Sequence, residues 1–554
     1  MPADGPALLK RYDRLKSEAS THFTQCERMA PYVCPSRVGI LGARTMGDSQ
    51  VHQVTDSTTL MAAELMAQFI AGQVMNPAQQ WGSMALWHPN PSARDAIAEW
   101  NEDCRDRMMQ AYASSAFYGE GPETLTDWGG FGTGCLVLEE APPPQNSRKA
   151  GFRGVRAEAK KTGRFVIADG PDGLVDTLFD ESILSATAIR RRWPQATLPP
   201  KIQAALDKGK PDDPFTIIHA IVPRDRTDQQ YGAAATSMPW ASCWIEKDSK
   251  QVIHEGGYRV FPAAVPRFHK TPGEVFGRGR GQIAFPDTWT LNTAKEMGLE
   301  DHALKLRPPV LLSHQAVFGT LRLVPSGPTV VNTHGKAIGD VIKPWQTGSH
   351  PEVTNIKEEE LRKSIRQIFY VDHILSLMEV SKSEMTAFEY RKKLQLLYDM
   401  LAPVYGRLMR EFLRQTWDIT WNLMFWAGAF APPPPEVFET DGEIDVTFEN
   451  PIALSQRAGD VEAIGMAVTD LAPLAQVFPD IWDGFDPDKT RQRVFAARGV
   501  PASVARNDEE INAVRAARQQ QQEGEAMLEG AGQAAEAAGK AAPMVTAMQP
   551  QGTA

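Results

Sequence analysis

Apolar residues recur along this chain at two periods, and the changes of period mark out its elements. Leu60, Ala63, Met66, Ala67 and Ile70 fall at helical spacing after Asp56 and Ser57, either of which can cap a helix, and Asn76-Pro77 ends the run. A second helix is predicted from Ser92, with Ile97, Trp100, Cys104, Met108 and Ala111 on its apolar face. The string Gly129 to Glu139, G-G-F-G-T-G-C-L-V-L-E, then passes from glycine turns into a strand. From Arg164 to Phe261 short apolar runs alternate with turns (F-V-I-A, L-V-D-T-L-F, F-T-I-I-H-A-I-V, W-A-S-C-W-I), which is the pattern of a β-rich region. Pro142 to Pro144 and Gln145 to Gly163 read as a loop or excursion before it.

Helical spacing returns after the string F-G-R-G-R-G, Phe276 to Gly281. Asp287, just after Pro286, is a good N-cap for a helix that runs to Leu306 and stops at Pro308-Pro309. Val310 to Val353 is strand and turn again. Asn355 and Glu358 have the spacing of a capping box, and Leu361, Ile365, Ile368, Val371, Leu375 and Met378 share one face beyond them. The two helices would be about 30 and 33 Å long, so two comparable struts flank a small β module. A polar stretch, E-V-S-K-S-E-M, separates them from a long helix with Thr386 and Glu389 at its start. It carries Leu394, Leu397, Leu401, Val404, Leu408, Phe412, Trp417, Trp421 and Met424, with a kink expected at Pro403. Pro432 to Pro435 form a stiff linker, Ile444 to Phe448 a strand, and a helical region reaches about Gln522 before a low-complexity end.

Composition adds limits. A chain of 554 residues, 42% hydrophobic and 23% charged, can bury a large core and is not dominated by disorder. A net charge of -10 argues against a surface that grips nucleic acid throughout. The five cysteines (Cys26, Cys34, Cys104, Cys135, Cys243) form no C-x-x-C pair, which fits a reducing compartment and suggests neither a disulfide framework nor zinc. The N-terminus lacks a long apolar stretch, and Ile419 to Ala431 is too short to span a bilayer, so synthesis in the cytosol with no membrane partner is expected.

Motifs for chemistry are mostly missing. F-G-R-G-R-G lacks the Lys-Ser/Thr of a P-loop, Gly335-Lys336 is followed by Ala337, and the run leads into Phe285-Pro286 rather than directly into a dinucleotide-binding helix. As an RNA-binding element it is a single unit in ordered-looking sequence. The mechanical alternative is a glycine-permitted bend whose arginines face a partner or neighbouring backbone. His254-Glu255 has no second histidine of a zinc motif. Asp301-His302 and Asp372-His373 are adjacent on helices and so point about 100° apart. No catalytic residue, metal ligand or cofactor is assigned, although an enzyme with unmarked carboxylates stays open.

Several short motifs in order carry a resemblance. Phe261-Pro262, Pro266-Arg267, Pro272-Gly273-Glu274, Phe276-Gly277-Arg278-Gly279, Pro286-Asp287, Leu291-Asn292 and Pro308-Pro309, with Phe131 to Val137 earlier and Thr386-Ala387-Phe388-Glu389 later, resemble the portal proteins, or head-to-tail connectors, of short-tailed bacteriophages. The resemblance spans roughly residues 8 to 450. Phe276 stands where the family leads one to expect tyrosine, and neither Gln145 to Gly163 nor the C-terminal tail has a clear counterpart.

The resemblance implies an α+β, predominantly helical portal fold with a mixed α/β wing, a two-helix stem, a β-containing clip and a helical crown. Residues 1–275 would be the N-terminal wing, 276–306 the first stem helix, 307–354 the clip and 355–378 the second stem helix. The tunnel loop would be 379–385, the long wing helix 386–431, the crown 432–525 and a disordered tail 526–554. It implies a homo-oligomeric ring, a dodecamer, at one capsid vertex of the virion, assembled in the host cytoplasm, with double-stranded DNA in its channel. The other partners implied are a terminase large subunit, a tail adaptor protein, and capsid and scaffolding proteins. Ser381, Lys382, Ser383 and Glu384 would line the channel; Gly277, Arg278, Gly279 and Arg280 would form the wing-stem bend; Arg322, Lys336 and Lys343 would dock the motor or adaptor. A tail adaptor, an internal ejection protein or a soluble hydrolase are the rival readings.

Overall fold

The first third folds in a computed structural model as α1 (Gly5–Glu18), α2 (Ser20–Val33), α3 (Thr58–Val74), α4 (Pro91–Ala113) and α5 (Phe117–Phe131), of which the apolar periods located α3 and α4. The structure describes residues 4–42, 54–85, 91–142, 151–224, 235–306, 310–312, 337, 342–344, 351–378, 387–435, 437, 445–448, 451–475, 480, 484–498, 510–511 and 513–524. The predicted faces are buried: Ala63, Met66, Ala67 and Ile70 on α3, and Ile97, Trp100, Cys104, Met108 and Ala111 on α4. Gly129 and Gly130, read from sequence as turn residues, instead form the last turn of α5. The turn comes at Gly132, whose φ of 96° closes the helix by donating to the carbonyls of Asp127 and Trp128.

Two antiparallel sheets follow. β2 (Leu136–Glu140) lies between β3 (Val155–Ala159) and β9 (Ala263–Ala264). β4 (Phe165–Asp169), β5 (Val175–Ser185), β6 (Pro214–Pro223), β7 (Trp240–Glu246) and β8 (Val252–Tyr258) form a five-stranded meander in chain order. α6 (Ala186–Arg192) and α7 (Pro200–Asp207) cover part of it, packing Ile189, Ile202 and Ala205 against Ile217, Trp244 and Ile253. The presence of β3 corrects the reading of 145–163 as an excursion. Its V-R-A-E-A buries Val155 and Ala157 and leaves Arg156 and Glu158 more open, an alternation too short to stand out in the sequence.

The struts differ from expectation at three points. α8 (Arg280–Leu306) begins seven residues before the predicted cap, and Pro286 lies inside it. Proline has no N–H to give to the carbonyl four residues back, a cost tolerated in the opening turns of a helix that tertiary contacts hold. Asp287 caps nothing, and accepts a hydrogen bond from Ser364 Oγ at 2.7 Å. α9 (Pro351–Ile368) starts at its proline rather than at Asn355, and packs along α8. The second strut is not continuous: Tyr370 has φ 60° and separates α9 from α10 (Val371–Met378). The break rotates the face beyond it, so that Ile374 is buried and Leu375, predicted to be inside, is 38% exposed.

The long helix runs past Pro403 as α11 (Ala387–Leu408), passes through a π-helical turn at Met409–Arg414 and continues as α12 (Gln415–Trp426). The π turn buries three successive residues, Glu411, Phe412 and Leu413. In the β module, β10 (Val310–Leu312) pairs with β11 (Ile342–Pro344).

Two compact units result: Met1–Trp81 with Met108–Ala429, and Gly82–Arg107 with Phe430–Ala554. Sequence boundaries keep 82–107 with the rest of 1–275, whereas pairing in the structure groups it with the C-terminal part. β1 (Gly82–Ala85) forms an antiparallel ladder with β12 (Asp445–Phe448), and Trp100 Nε1 donates to the Ala431 carbonyl at 3.0 Å. α13 (Pro451–Ala475) and α14 (Pro487–Arg498) complete the described part of this unit. Among the described residues, no helix is long and apolar enough to cross a membrane.

Candidate functional site

F-G-R-G-R-G meets the other glycine-rich string, G-G-F-G-T-G, backbone against backbone. A Cβ on Gly279 would lie 2.5 Å from the Gly130 carbonyl oxygen and 2.6 Å from the Gly132 nitrogen; one on Gly281 would lie 2.5 Å from the same Gly130 oxygen. A Cβ on Gly277 would collide with the Gly132 carbonyl, and one on Gly132 with that of Gly277. Only residues without side chains permit this approach. Hydrogen bonds tie the facing segments, Gly277 N donating to Thr133 Oγ1 at 2.8 Å and Phe268 N to the Gly132 carbonyl at 2.9 Å, while Arg278 N donates to the His269 carbonyl at 2.7 Å within the bend.

The two arginines of the string both find contacts within the chain. Arg278 donates to Glu274, its Nε at 3.0 Å from Oε2, on the surface. Arg280 opens α8, lies 4.6 Å from the centre of the Tyr370 ring and donates to the Tyr370 hydroxyl, so the start of one strut is tied to the break in the other. Phe276 packs on His22 at 4.8 Å and Phe23 at 5.3 Å, an aromatic slot for an apolar ring. Burial pushes the His22 imidazole down to about 4, so the neutral ring makes this contact.

Just before the bend, Arg267 is fully buried and collects three elements. Its guanidinium donates to Glu411 on the π turn at 2.7 Å, to Asp169 at the end of β4 at 2.6 Å and to the Gly173 carbonyl at 2.8 Å. Its own N–H donates to the second Glu411 oxygen at 2.8 Å. A buried charge of this kind persists only where its partners are fixed, and removing one leaves the others unpaired.

A second junction holds the struts to α3. The buried Asp56 carboxylate accepts from Thr58, and its Oδ2 lies 3.1 Å from both Lys295 on α8 and Arg362 on α9. Asn292 Oδ1 accepts from the backbone N–H groups of Thr55 and Asp56, both at 2.9 Å, and Thr59 and Thr288 share a hydrogen bond at 2.7 Å. Burial alone would raise the Asp56 carboxyl, but the Thr58 hydrogen bonds and the two cations outweigh it and hold the group at about 2.

Of the residues singled out in the sequence, the structure brings Gly277, Arg278, Gly279 and Arg280 together. Ser381, Lys382, Ser383, Glu384, Arg322 and Lys336 lie outside the described residues. Lys343 is on β11, opposite Leu311. Sequence reasoning took Asp56 or Ser57 as a cap, used Asn292 only within the Leu291-Asn292 motif of the resemblance, and did not single out Arg362, Tyr370 or Glu411. The usable signal was the pair of glycine strings with matching two-residue spacing. Among the described residues, no group of three or more His, Cys, Asp or Glu is placed to hold a metal ion.

Residues 6–505 match the family of bacteriophage head to tail connecting proteins. The chain is 24% identical over 521 residues to a "Probable portal protein" of Bordetella phage BPP-1, covering 93% of this chain and 91% of that protein. It is 21% identical over 522 residues to the "Portal protein" of Salmonella phage epsilon15, with the same coverages of 93% and 91%. Among solved structures it is similar to a chain in the virion of a native gene transfer agent particle, at 13% identity and a TM-score of 0.33, covering 77% of this chain and 92% of that one. A chain in the neck of such a particle aligns at 12% identity and a TM-score of 0.29, covering 72% and 94%.

Two predictions test the junction. Gly279→Ala should destabilise the chain by about 2 kcal/mol, because backbone cannot move aside as a side chain can. Gly298→Ala, where the nearest atom to a new Cβ is Glu358 Oε1 at 4.0 Å, should stabilise it by about 0.5–1 kcal/mol through helix propensity. Denaturant midpoints of both variants check this, and equal shifts would remove the steric argument. For Asp56, a carboxyl lowered from 3.8 to about 2 contributes stability that is full above pH 3.8 and lost as pH falls toward 2, about 2 kcal/mol in all. The stability difference between wild type and Asp56→Asn should therefore shrink across that window; a difference constant from pH 6 to pH 2 would contradict it.

Proposed function

Because the chain belongs to the bacteriophage head to tail connecting protein family, we propose that it is a portal subunit: a ring-forming protein at one capsid vertex through which double-stranded DNA is packaged and later ejected. The observation that carries this reading is the family match over residues 6–505, nearly the whole chain. The names of the Bordetella and Salmonella phage relatives, each aligned over 93% of this chain, agree with it. The ring is a dodecamer, assembled in the host cytoplasm with capsid and scaffolding proteins.

In this reading α8 and the broken pair α9 and α10 are the stem, and the clip, bounded at 307–354 from the sequence, is shortened to 307–350 by the start of α9. A terminase large subunit docks on the clip during packaging and a tail adaptor replaces it afterwards, with Arg322, Lys336 and Lys343 offered to them. Residues 379–385 are the tunnel loop, where Ser381, Lys382, Ser383 and Glu384 face the DNA. The chain is a structural component and not an enzyme, and the motor that docks on it supplies the energy. The two-glycine-string junction then has a mechanical task. It locks the point where the chain leaves the wing for the stem, so that force applied at the clip is carried into a packed core.

The acidic balance suits a conduit. Each phosphate neutralised by the wall adds affinity that must be broken at every step, so a net charge of -10 with a single lysine at the loop favours passage over retention.

Negative-stain electron microscopy of the purified chain should show rings with a central opening wide enough for duplex DNA. Monomers or open aggregates, both alone and with the scaffolding protein present, would sink the reading. Lys382→Glu should leave ring assembly intact and lower DNA packaging or retention, measured as protected DNA per particle. Normal packaging by this variant would remove Lys382 from the mechanism.

A further inference from the structure

A cavity of about 640 Å³ opens beside the five-stranded sheet, lined by β2, the end of α6, β7, β8 and α12. Two guanidinium groups line it, and each lies over an indole: Arg192 at 4.1 Å from the Trp244 ring centre and Arg259 at 3.8 Å from that of Trp426. Trp244 is itself held, because His219 stacks on it at 3.8 Å and bonds Ser242 Oγ at 2.8 Å. Among the described residues, neither Arg192 nor Arg259 makes an ion pair or a side-chain hydrogen bond. The nearby carboxylate of Glu139 is engaged elsewhere, accepting from the Tyr258 hydroxyl.

We propose that this cavity binds a peptide segment that carries a carboxylate beside an aromatic or apolar side chain. A guanidinium stacked on an indole uses its face and leaves the in-plane N–H edge free, and that edge matches a carboxylate in two parallel hydrogen bonds. The stacking also fixes the group before binding, so less freedom is lost when an anion arrives. Around the cations the lining is apolar: Leu138, Trp193, Met238, Leu423 and Trp426, the last 58% exposed, receive the neighbouring side chain. A continuous polyanion fits less well, because Glu139 and Glu140 line the same cavity and would repel a phosphate chain running through it. The occupant is therefore an acidic, apolar-anchored stretch of another protein, and the inference does not depend on ring formation.

The test uses the full-length protein and two fluorescein-labelled hexapeptides, AEFELA and its uncharged counterpart AQFQLA, followed by fluorescence anisotropy. The acidic peptide should bind at least about tenfold more tightly. Arg192→Gln and Arg259→Gln should each bring the two peptides to within about twofold of one another, while the neighbouring surface change Arg191→Gln leaves the preference intact. Trp426→Ala, which removes an exposed ring without opening the core, should weaken AEFELA as Arg259→Gln does. Equal binding of the two peptides, or a preference that survives both arginine changes, would overturn the proposal. Displacement of the peptide by single-stranded DNA at lower concentration than by unlabelled AEFELA would replace it with a nucleic-acid site. Inorganic phosphate competing as well as unlabelled AEFELA would reduce it to a simple anion site.

Discussion

The contact on which much of this structure depends is the approach of two backbones with no side chains between them. Gly277, Gly279 and Gly281 lie against Gly130 and Gly132 at distances that a methyl group would violate. Everything that leaves this point inherits its direction: α5 ends there, β2 begins just beyond, and α8 starts from it. Side-chain packing can adjust to small changes by rotating. A glycine contact cannot, since there is nothing to rotate, and that stiffness is useful where one element must leave another at a set angle.

Charge supplies the second constraint. Arg267 joins the approach to the bend to the π turn through Glu411 and to the sheet through Asp169. Asp56 joins α3 to both struts through Lys295 and Arg362. Each cluster centres on a buried charge, Arg267 in one and Asp56 in the other, and an unpaired buried charge is expensive, so each enforces one arrangement rather than merely adding attraction. The π turn is intelligible in these terms: one extra residue in the helix brings Glu411, Phe412 and Leu413 inside together, and the buried guanidinium neutralises the one that is charged.

Portal function, as proposed, asks for a stiff junction, struts of comparable length and a wall that does not hold DNA. The first two have named residues behind them, and the acidic net charge is what the proposed third would ask for. The break at Tyr370 adds an asymmetry between the struts. Arg280 grips the very residue at which the second strut changes direction, so the geometry of the bend and that of the segment leading to 379–385 are coupled through one cation and one ring.

Apolar period was enough to locate α3, α4 and the β-rich middle, because a helix or strand that buries one face must repeat in sequence what it repeats in space. Glycine content marked the bend. What sequence alone could not decide were the starts of α8 and α9, the break at Tyr370, the short strand Val155–Ala159 and the pairing of Gly82–Ala85 with Asp445–Phe448. Each depends on a partner distant in the chain. Local propensity places a cap at Asp287, but Gly281 against Gly130 and Arg280 on Tyr370 hold the helix from its earlier start. The sequence by itself determined the long periodic elements and most of the faces they bury. Tertiary structure alone decided where α8 and α9 start and which buried charges meet, because those outcomes are set by contacts between residues distant in the chain, and such contacts leave no period to read.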